Sequence, residues 1–254
     1  MGPEIFLMKL TQLAALCALS SAAVFAQAKP VWQDFSLTAL YGENYEVGTN
    51  ERTTLTGEYA AKYKYSDVFF FVDHQWNSAN HNTTTYLELA PRLSLGEVSG
   101  KDLSFGPVKD VLVATTWEHN AGYDTNGEFN NFLYGLGFAL DVPYTNYANI
   151  NFYKVENDSK SGKDDDYQVT ITYAVPFKLG NEDFLVDAFF DWSTAEDTHA
   201  SELNWTSQYK WNVGKHISPQ TKLYVGVEHS VWNNKYGIKG ADQNDVSALV
   251  KYHF

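Results

Sequence analysis

The chain closes on the nine residues Val246-Ser247-Ala248-Leu249-Val250-Lys251-Tyr252-His253-Phe254. Apolar or small residues occupy every second position from Val246 to Phe254, and both Lys251 and His253 fall between them. Successive side chains of a β-strand point to opposite faces, so a period of two predicts a strand with one apolar face.

The same period recurs along the chain, and no apolar stripe with helical spacing accompanies it. In the segment 53–65, Leu55 and Tyr59 share one face while Glu58 and Lys62 share the other. The remaining alternating segments are 35–45, 68–77, 85–95, 111–119, 132–140, 147–155, 167–177, 184–192, 203–213 and 223–232. Together with the final segment these make twelve predicted strands, and the fold class is all-β.

The composition of the chain favours a membrane barrel over a soluble sheet. The chain has 254 residues, 44% hydrophobic and 16% aromatic, with a mean hydropathy of −0.35. Only every second residue of a barrel strand faces lipid, so a low average is compatible with membrane insertion. Aromatic residues concentrate at membrane interfaces. The sequence therefore predicts a closed antiparallel transmembrane β-barrel of about 12 strands over residues 27–254.

The connections between the predicted strands alternate in length. Long polar connections cover 77–84, 120–131, 156–166, 193–202 and 233–245, and short ones lie between them. Short periplasmic turns and longer outer loops are typical of outer-membrane barrels, so both termini are predicted to be periplasmic. A last strand that ends on Phe254 resembles the assembly signal of such barrels. The predicted location is the bacterial outer membrane.

The first residues predict a signal peptide over 1–26, with cleavage after 28 as the alternative. Lys9 precedes an apolar run over 10–25, and small residues follow at Ala26 and Ala28. An N-terminal anchor helix is the other interpretation of this run. Removal of the peptide discards Cys17, the only cysteine, which excludes disulfides and cysteine chemistry. A net charge of −13 argues against nucleic acid as a partner and suits a cation-tolerant pore.

Two stretches carry a family resemblance. Pro91-Arg92-Leu93-Ser94 ends the fourth predicted strand, and Asp102-Leu103-Ser104-Phe105-Gly106-Pro107-Val108-Lys109 follows it. Together they resemble a block of the Tsx-type nucleoside-specific channel family, which includes OmpK-like receptors. The resemblance implies a monomeric twelve-stranded barrel that passes nucleosides. It also implies phage as a partner, because some relatives are known mainly as phage receptors.

Candidate lining residues follow from the polar faces of the strands. An uncharged nucleoside needs acceptors for its ribose hydroxyls and a flat apolar surface for its base. The candidates are Tyr86, Glu88, Arg92, Asp187, Phe189, Asp191, Glu58 and Asp73. The alternative is that opposite charges pair across strands and only fill the barrel. Gly135, Gly137 and Ala139 are interpreted as leaving room in the lumen.

No catalytic or metal residues are predicted, and no cofactor is expected. His229 and Ser230 are adjacent, so a strand would point them to opposite faces and separate a nucleophile from its base. The acidic run 164–166 lacks the spaced ligands of a calcium loop.

The predicted function is passive uptake of nucleosides or similar small neutral solutes across the outer membrane. Outer-membrane lipids and lipopolysaccharide are the expected surroundings. A surface receptor or adhesin barrel, or a general small-solute porin with little nucleoside selectivity, remains the alternative, and conductance in a planar bilayer separates these functions.

Overall fold

The computed structural model describes residues 29–77, 81–122, 128–157, 165–196 and 198–254. The expected signal peptide over 1–26 lies outside these ranges. The strands are β1 Trp32–Gly42, β2 Arg52–Lys62, β3 Ser66–Asn77, β4 Thr83–Ser94, β5 Val108–Gly122, β6 Phe129–Leu140, β7 Tyr147–Glu156, β8 Asp166–Leu179, β9 Glu182–Ser193, β10 Glu202–Asn212, β11 Lys222–Asn233 and β12 Gln243–His253.

Each strand pairs antiparallel with its sequence neighbours, and β1 pairs with β12 to close the sheet. The predicted twelve-stranded closed barrel is confirmed. One short helix, α1 over Leu95–Ser99, follows β4. Within the described ranges, no helix is long and apolar enough to cross a membrane.

The predicted alternation of faces is confirmed by burial. Along β12, Lys251 is 3% exposed and points into the barrel, while Tyr252 is 40% exposed and points outward. Leu55 on β2 likewise lies on the outer surface. Because strand register fixes alternate residues together, the polar set of every strand faces the interior.

The seam between β1 and β12 has a shorter ladder than its neighbours. β1 pairs with β2 at eleven positions but with β12 at only six, from Ser36 to Tyr41. Side chains reinforce the seam from inside. Asp34 Oδ2 lies 2.5 Å from His253 Nδ1, and Asp34 Oδ1 accepts a hydrogen bond of 3.2 Å from Lys222 Nζ.

The barrel has two ends, which are named here by the connections at each. The terminal end carries Trp32, His253, α1 and the turns that join even-numbered strands to the following odd-numbered ones. The loop end carries the other connections.

Residues 102–109 form a structural turn at the terminal end. Ser104 donates to Asp102, which lowers the pKa of that carboxyl. Phe105 and Val108 exchange backbone hydrogen bonds, and the carbonyl of Pro107 accepts from the Asp141 amide at 2.7 Å. This stretch therefore connects two neighbouring turns.

The polar groups of α1 bind it to β5. The Ser94 hydroxyl caps α1 by accepting from the Glu97 amide at 3.0 Å. Asp110 on β5 accepts from the Ser94 hydroxyl at 2.5 Å and from the Gly96 amide at 3.2 Å. The helix therefore lies against the end of the barrel wall.

Two interior glycines allow close approach of neighbouring strands. A Cβ atom at Gly135 would lie 1.9 Å from the carbonyl oxygen of Phe152, and one at Gly226 would lie 1.9 Å from that of Tyr209. Such positions admit only glycine, as at tight bends of barrels. The backbone of β7 therefore explains the glycine at position 135, and room in the lumen beside it stays a prediction.

We expect Gly135→Ala to lower the free energy of unfolding by about 1–3 kcal/mol, because the added methyl group overpacks against β7. The matched control is Gly57→Ala, whose Cβ would meet its nearest atom, on Val72, at an ordinary 3.6 Å. Urea unfolding of both variants in lipid vesicles measures the difference. Equal stability of the two variants would contradict the close-approach argument.

Candidate functional site in the barrel interior

All eight candidate lining residues lie on interior-facing positions of their strands. Each is half-buried, so each keeps part of its surface exposed inside the barrel. They are Glu58 on β2, Asp73 on β3, Tyr86, Glu88 and Arg92 on β4, and Asp187, Phe189 and Asp191 on β9. Whether they contact a solute is a separate question, which depends on their partners.

Three of the candidates are held in ion pairs. Arg92 donates to both oxygens of Asp67 at 2.8 and 3.0 Å, and Lys210 Nζ lies 2.6 Å from Asp187 Oδ2. Glu58 pairs with Lys251. We call these six residues the ion-paired belt. The alternative interpretation, in which opposite charges pair across strands, therefore holds for Arg92, Asp187 and Glu58.

The ion-paired belt continues into neighbouring strands. The side-chain oxygen of Gln208 accepts from Lys210 at 3.3 Å, and its amide donates to Glu228 at 2.9 Å. The Lys210 side chain is 0% exposed. A buried ammonium is tolerated only when it is paired, so Asp187 is required by Lys210 for charge compensation.

A second set of carboxylates has polar neighbours but no cation partner. Asp73 accepts from Thr56 at 2.6 Å, Glu88 from Tyr86 at 2.6 Å, and Asp191 from Thr170 at 2.5 Å. We call Asp73, Glu88, Asp191 and Glu228 the acidic group. Among the described residues, none of the four takes part in an ion pair. A carboxylate has about four acceptor sites, so hydroxyl donors leave acceptor capacity on these residues.

The acidic group gathers charge on facing walls of the barrel. Glu88 on β4 interacts electrostatically with Asp191 on β9 and with Glu118 on β5. Glu118 in turn accepts a hydrogen bond of 3.0 Å from Asn131. Acidic side chains from three strands are therefore brought together in this part of the lumen.

Aromatic rings form a continuous line beside the acidic group. The ring centroids of Phe69 and Phe71 are 5.9 Å apart, those of Phe71 and Tyr86 are 5.7 Å apart, and those of Tyr86 and Phe129 are 6.4 Å apart. We call these four residues the aromatic track. Phe69 faces the interior yet is 40% exposed, so the lumen is open beside it.

Sequence reasoning found Tyr86 but missed the other members of the track. The signal for two of them was present, because Phe69 and Phe71 share the face of Asp73 by the period of two. Phe129 precedes the predicted sixth segment and could not be assigned from it.

Tyr147 projects into the lumen near the ion-paired belt. It starts β7, faces inward opposite Ala174, and is 43% exposed. Its hydroxyl interacts electrostatically with Asp187, Glu58 and Arg92, which belong to three other strands. Side chains from several walls therefore lie within electrostatic range of one another at this level. The sequence of a single strand does not predict which side chains lie near Tyr147 across the lumen.

The described residues bring together no catalytic pair at His229 and Ser230. His229 points outward and its Nε2 lies 2.8 Å from Asn244 Oδ1. Ser230 points inward, with its hydroxyl 3.0 Å from that of Thr206. Within the described ranges, no three or more His, Cys, Asp or Glu side chains are arranged to hold a metal ion.

Comparison with solved structures finds porin barrels at low sequence identity. A KdgM porin in complex with disordered oligogalacturonate aligns with 86% of this chain and 99% of its own, at 9% identity and a TM-score of 0.49.

Comparison with curated proteins finds relatives at about a quarter identity. Outer membrane protein OmpK of Vibrio parahaemolyticus is 26% identical over 232 residues, which are 87% of this chain and 84% of that protein. The nucleoside-specific channel-forming protein Tsx of Klebsiella aerogenes is 25% identical over 244 residues, covering 85% and 80%. Tsx of Escherichia coli O157:H7 is 27% identical over 182 residues, covering 67% and 60%.

The family model described as "Nucleoside-specific channel-forming protein, Tsx" matches residues 32–254. That range runs from the first residue of β1 to the last residue of the chain. The chain therefore belongs to the Tsx family of channel-forming proteins of the bacterial outer membrane.

Proposed function

We propose that this barrel is a passive channel for nucleosides, which move along the aromatic track while the acidic group holds their hydroxyls. The observation that supports the proposal most directly is the hydrogen bond of 2.6 Å from Tyr86 to Glu88, because it joins the track to the acidic group. Membership of the Tsx family supports the same solute class.

The two sets of residues are complementary to the two halves of a nucleoside. A base stacks on an aromatic ring such as Phe71, and ribose hydroxyls donate to carboxylates such as Glu88. Stacking on one ring contributes about 1–3 kcal/mol, by analogy with single-stranded nucleic acid. A channel must also release what it binds, so several weak positions serve transport better than one tight site.

The ion-paired belt has a different role in this proposal. Its charges neutralise one another, so it stiffens the wall and positions Tyr147 rather than holding solute. Asp187 and Arg92 then act through their ion pairs, whereas Phe189 and Asp191 face solute directly. Neutral solutes pass Tyr147 without having to break an ion pair.

The proposal places both termini in the periplasm and the barrel in the membrane as a monomer. Closure between β1 and β12 leaves no free strand edge through which a second copy could extend the sheet. Lipids and lipopolysaccharide surround the barrel, and a phage would contact the loop end.

Phe71→Ala and Phe189→Ala are expected to weaken nucleoside binding about 5- to 150-fold, the factor that corresponds to one lost stacking contact. The matched controls are Phe70→Ala and Phe190→Ala, whose side chains face outward on the same strands. The measurement is block of single-channel current by added adenosine or thymidine.

If added nucleosides do not change the conductance of the unmodified protein, nucleoside selectivity is contradicted and the barrel is a general small-solute porin. Absence of conductance would favour the receptor function. An equal loss in the inward and outward variants would show that neither the aromatic track nor Phe189 is the binding surface.

The channel is expected to conduct cations in preference to anions, because the chain carries a net charge of −13 and the acidic group takes part in no ion pair among the described residues. The reversal potential in a KCl gradient measures this preference. Asp73→Asn should lower it, whereas Glu97→Gln, on the exposed helix α1, should leave it unchanged. An anion-selective current would contradict the assignment.

We also propose that the protein is not an enzyme. His229→Ala should leave the purified barrel without any change in phospholipid hydrolysis, because His229 and Ser230 point to opposite faces. Release of fatty acid by the unmodified protein, lost in this variant, would overturn the proposal.

A further inference from the structure

The loop between β11 and β12, residues 234–242, places a lysine side chain inside the loop end of the barrel. Lys235 is only 2% exposed, whereas Lys239 in the same loop is exposed to solvent. The Lys235 ammonium donates to the side-chain oxygen of Gln243, which lies on an interior-facing position of β12. A lysine normally keeps its ammonium group in water, so the surroundings of Lys235 must compensate for its burial.

Three aromatic rings surround the ammonium group of Lys235. Its Nζ atom lies 4.7 Å from the ring centroid of Trp232, 5.2 Å from that of Tyr236 and 5.5 Å from that of Tyr45. All three distances are within the range of cation–π attraction. Trp232 pairs with Gln243 and shares its inward face, so its ring lies in the lumen. We call Tyr45, Trp232 and Tyr236 the aromatic cage.

The aromatic cage joins two loops across the seam between β1 and β12. Tyr45 belongs to the β1–β2 loop, residues 43–51, and its hydroxyl lies 3.1 Å from Ser247 Oγ inside the barrel. The guanidinium group of Arg52 lies 4.4 Å from the ring centroid of Tyr45. Asp245 on β12 interacts electrostatically with both Lys235 and Arg52, so a carboxylate offsets these two buried cations.

Hydrogen bonds hold the other side of the β11–β12 loop to the β9–β10 connection. The side-chain amide of Asn234 donates to the carbonyl of Ser201 at 2.8 Å. The backbone amide of Gly237 donates to Glu202 at 2.9 Å, and its carbonyl accepts from the Ala200 amide at 2.9 Å. The loop is therefore anchored on both sides, with Lys235 directed into the barrel between the two anchors.

The backbone on either side of Lys235 has an uncommon conformation. The φ angle is 49° at Asn234 and 59° at Tyr236, and both lie in the left-handed region. A residue other than glycine, above all an aromatic one, stays in this region only when surrounding contacts require it. The contacts of the aromatic cage and of the β9–β10 connection supply that requirement.

We propose that Lys235 is a positioning residue for solute entry: it pins the β11–β12 loop inside the loop end of the barrel and so limits the size of the solutes that enter. The inference rests on the proposed channel function. The rings of the aromatic cage reduce the cross-section that is open to a solute beside the seam. Release of Lys235 lets the loop move away from the lumen, so that larger solutes enter.

The pin is tested by hydrogen–deuterium exchange of the β11–β12 loop in the purified barrel. We expect Lys235→Ala to make the loop amides exchange about 2- to 30-fold faster, the factor that corresponds to one lost cation–π contact. The matched control is Lys239→Ala, which removes the exposed lysine of the same loop and should leave exchange unchanged. Lys235→Arg keeps a cation over the rings and should keep the slow exchange.

Equal exchange in the Lys235→Ala and Lys239→Ala variants would overturn the pin. Exchange as fast in Lys235→Arg as in Lys235→Ala would overturn the role of the cation over the rings. Circular dichroism verifies that all three variants are folded barrels.

The size limit is tested separately by single-channel current with polyethylene glycols of increasing length. Lys235→Ala should raise the conductance and admit a longer polymer than the unmodified barrel or the Lys239→Ala variant. The polymer limit distinguishes a wider entrance from the mere loss of one positive charge, which alters the current but not the size of the opening.

An unchanged polymer limit in the Lys235→Ala variant would overturn the entrance assignment and leave the proposed channel function intact. An unmodified barrel that passes no current would contradict the channel function instead. In that case a current through the Lys235→Ala variant supports the entrance assignment, and the absence of current overturns it as well.

Discussion

Closure of the backbone ladder is the constraint on which the rest of this structure depends. A bilayer supplies no water to unpaired N–H and C=O groups, so the sheet must return from β12 to β1. Once it has closed, every second side chain faces hydrocarbon and the others are confined together inside. The charges of twelve strands then share one narrow space, and their arrangement decides what else can enter it.

The interior accommodates its charged side chains in two ways. In the ion-paired belt, charges compensate one another, and the fully buried amine of Lys210 has the carboxylate of Asp187 beside it. In the acidic group, carboxylates accept from hydroxyls and amides and keep further acceptor sites. The first arrangement is rigid and electrically neutral, and the second is open to an incoming donor. An acidic residue with a cation beside it therefore stiffens the wall, whereas one without such a neighbour is available to bind a solute.

The barrel itself could be predicted from the sequence because apolar residues recur with a period of two in every strand. Alternation in segments such as 53–65 placed Leu55 outside and Glu58 inside, and the same parity placed all eight candidates on interior positions. Ion-pair partners could not be predicted in this way. Arg92 shares a face with Glu88 but binds Asp67 on the neighbouring strand, because the partner depends on the offset between strands. The approach of Tyr147 to Glu58 depends on the curvature of the closed barrel, which no single segment contains.

The short seam between β1 and β12 has a consequence for the order of assembly. It joins Asp34 to His253, which are 219 positions apart, so its loop-closure entropy is the largest that the chain has to overcome. Contacts this distant in sequence form late in folding. Beside its six ladder pairs, Asp34 contacts both Lys222 and His253, so side chains add to the hydrogen bonds of the seam. Closure of the barrel therefore depends on β12 reaching β1 from almost the opposite end of the described chain.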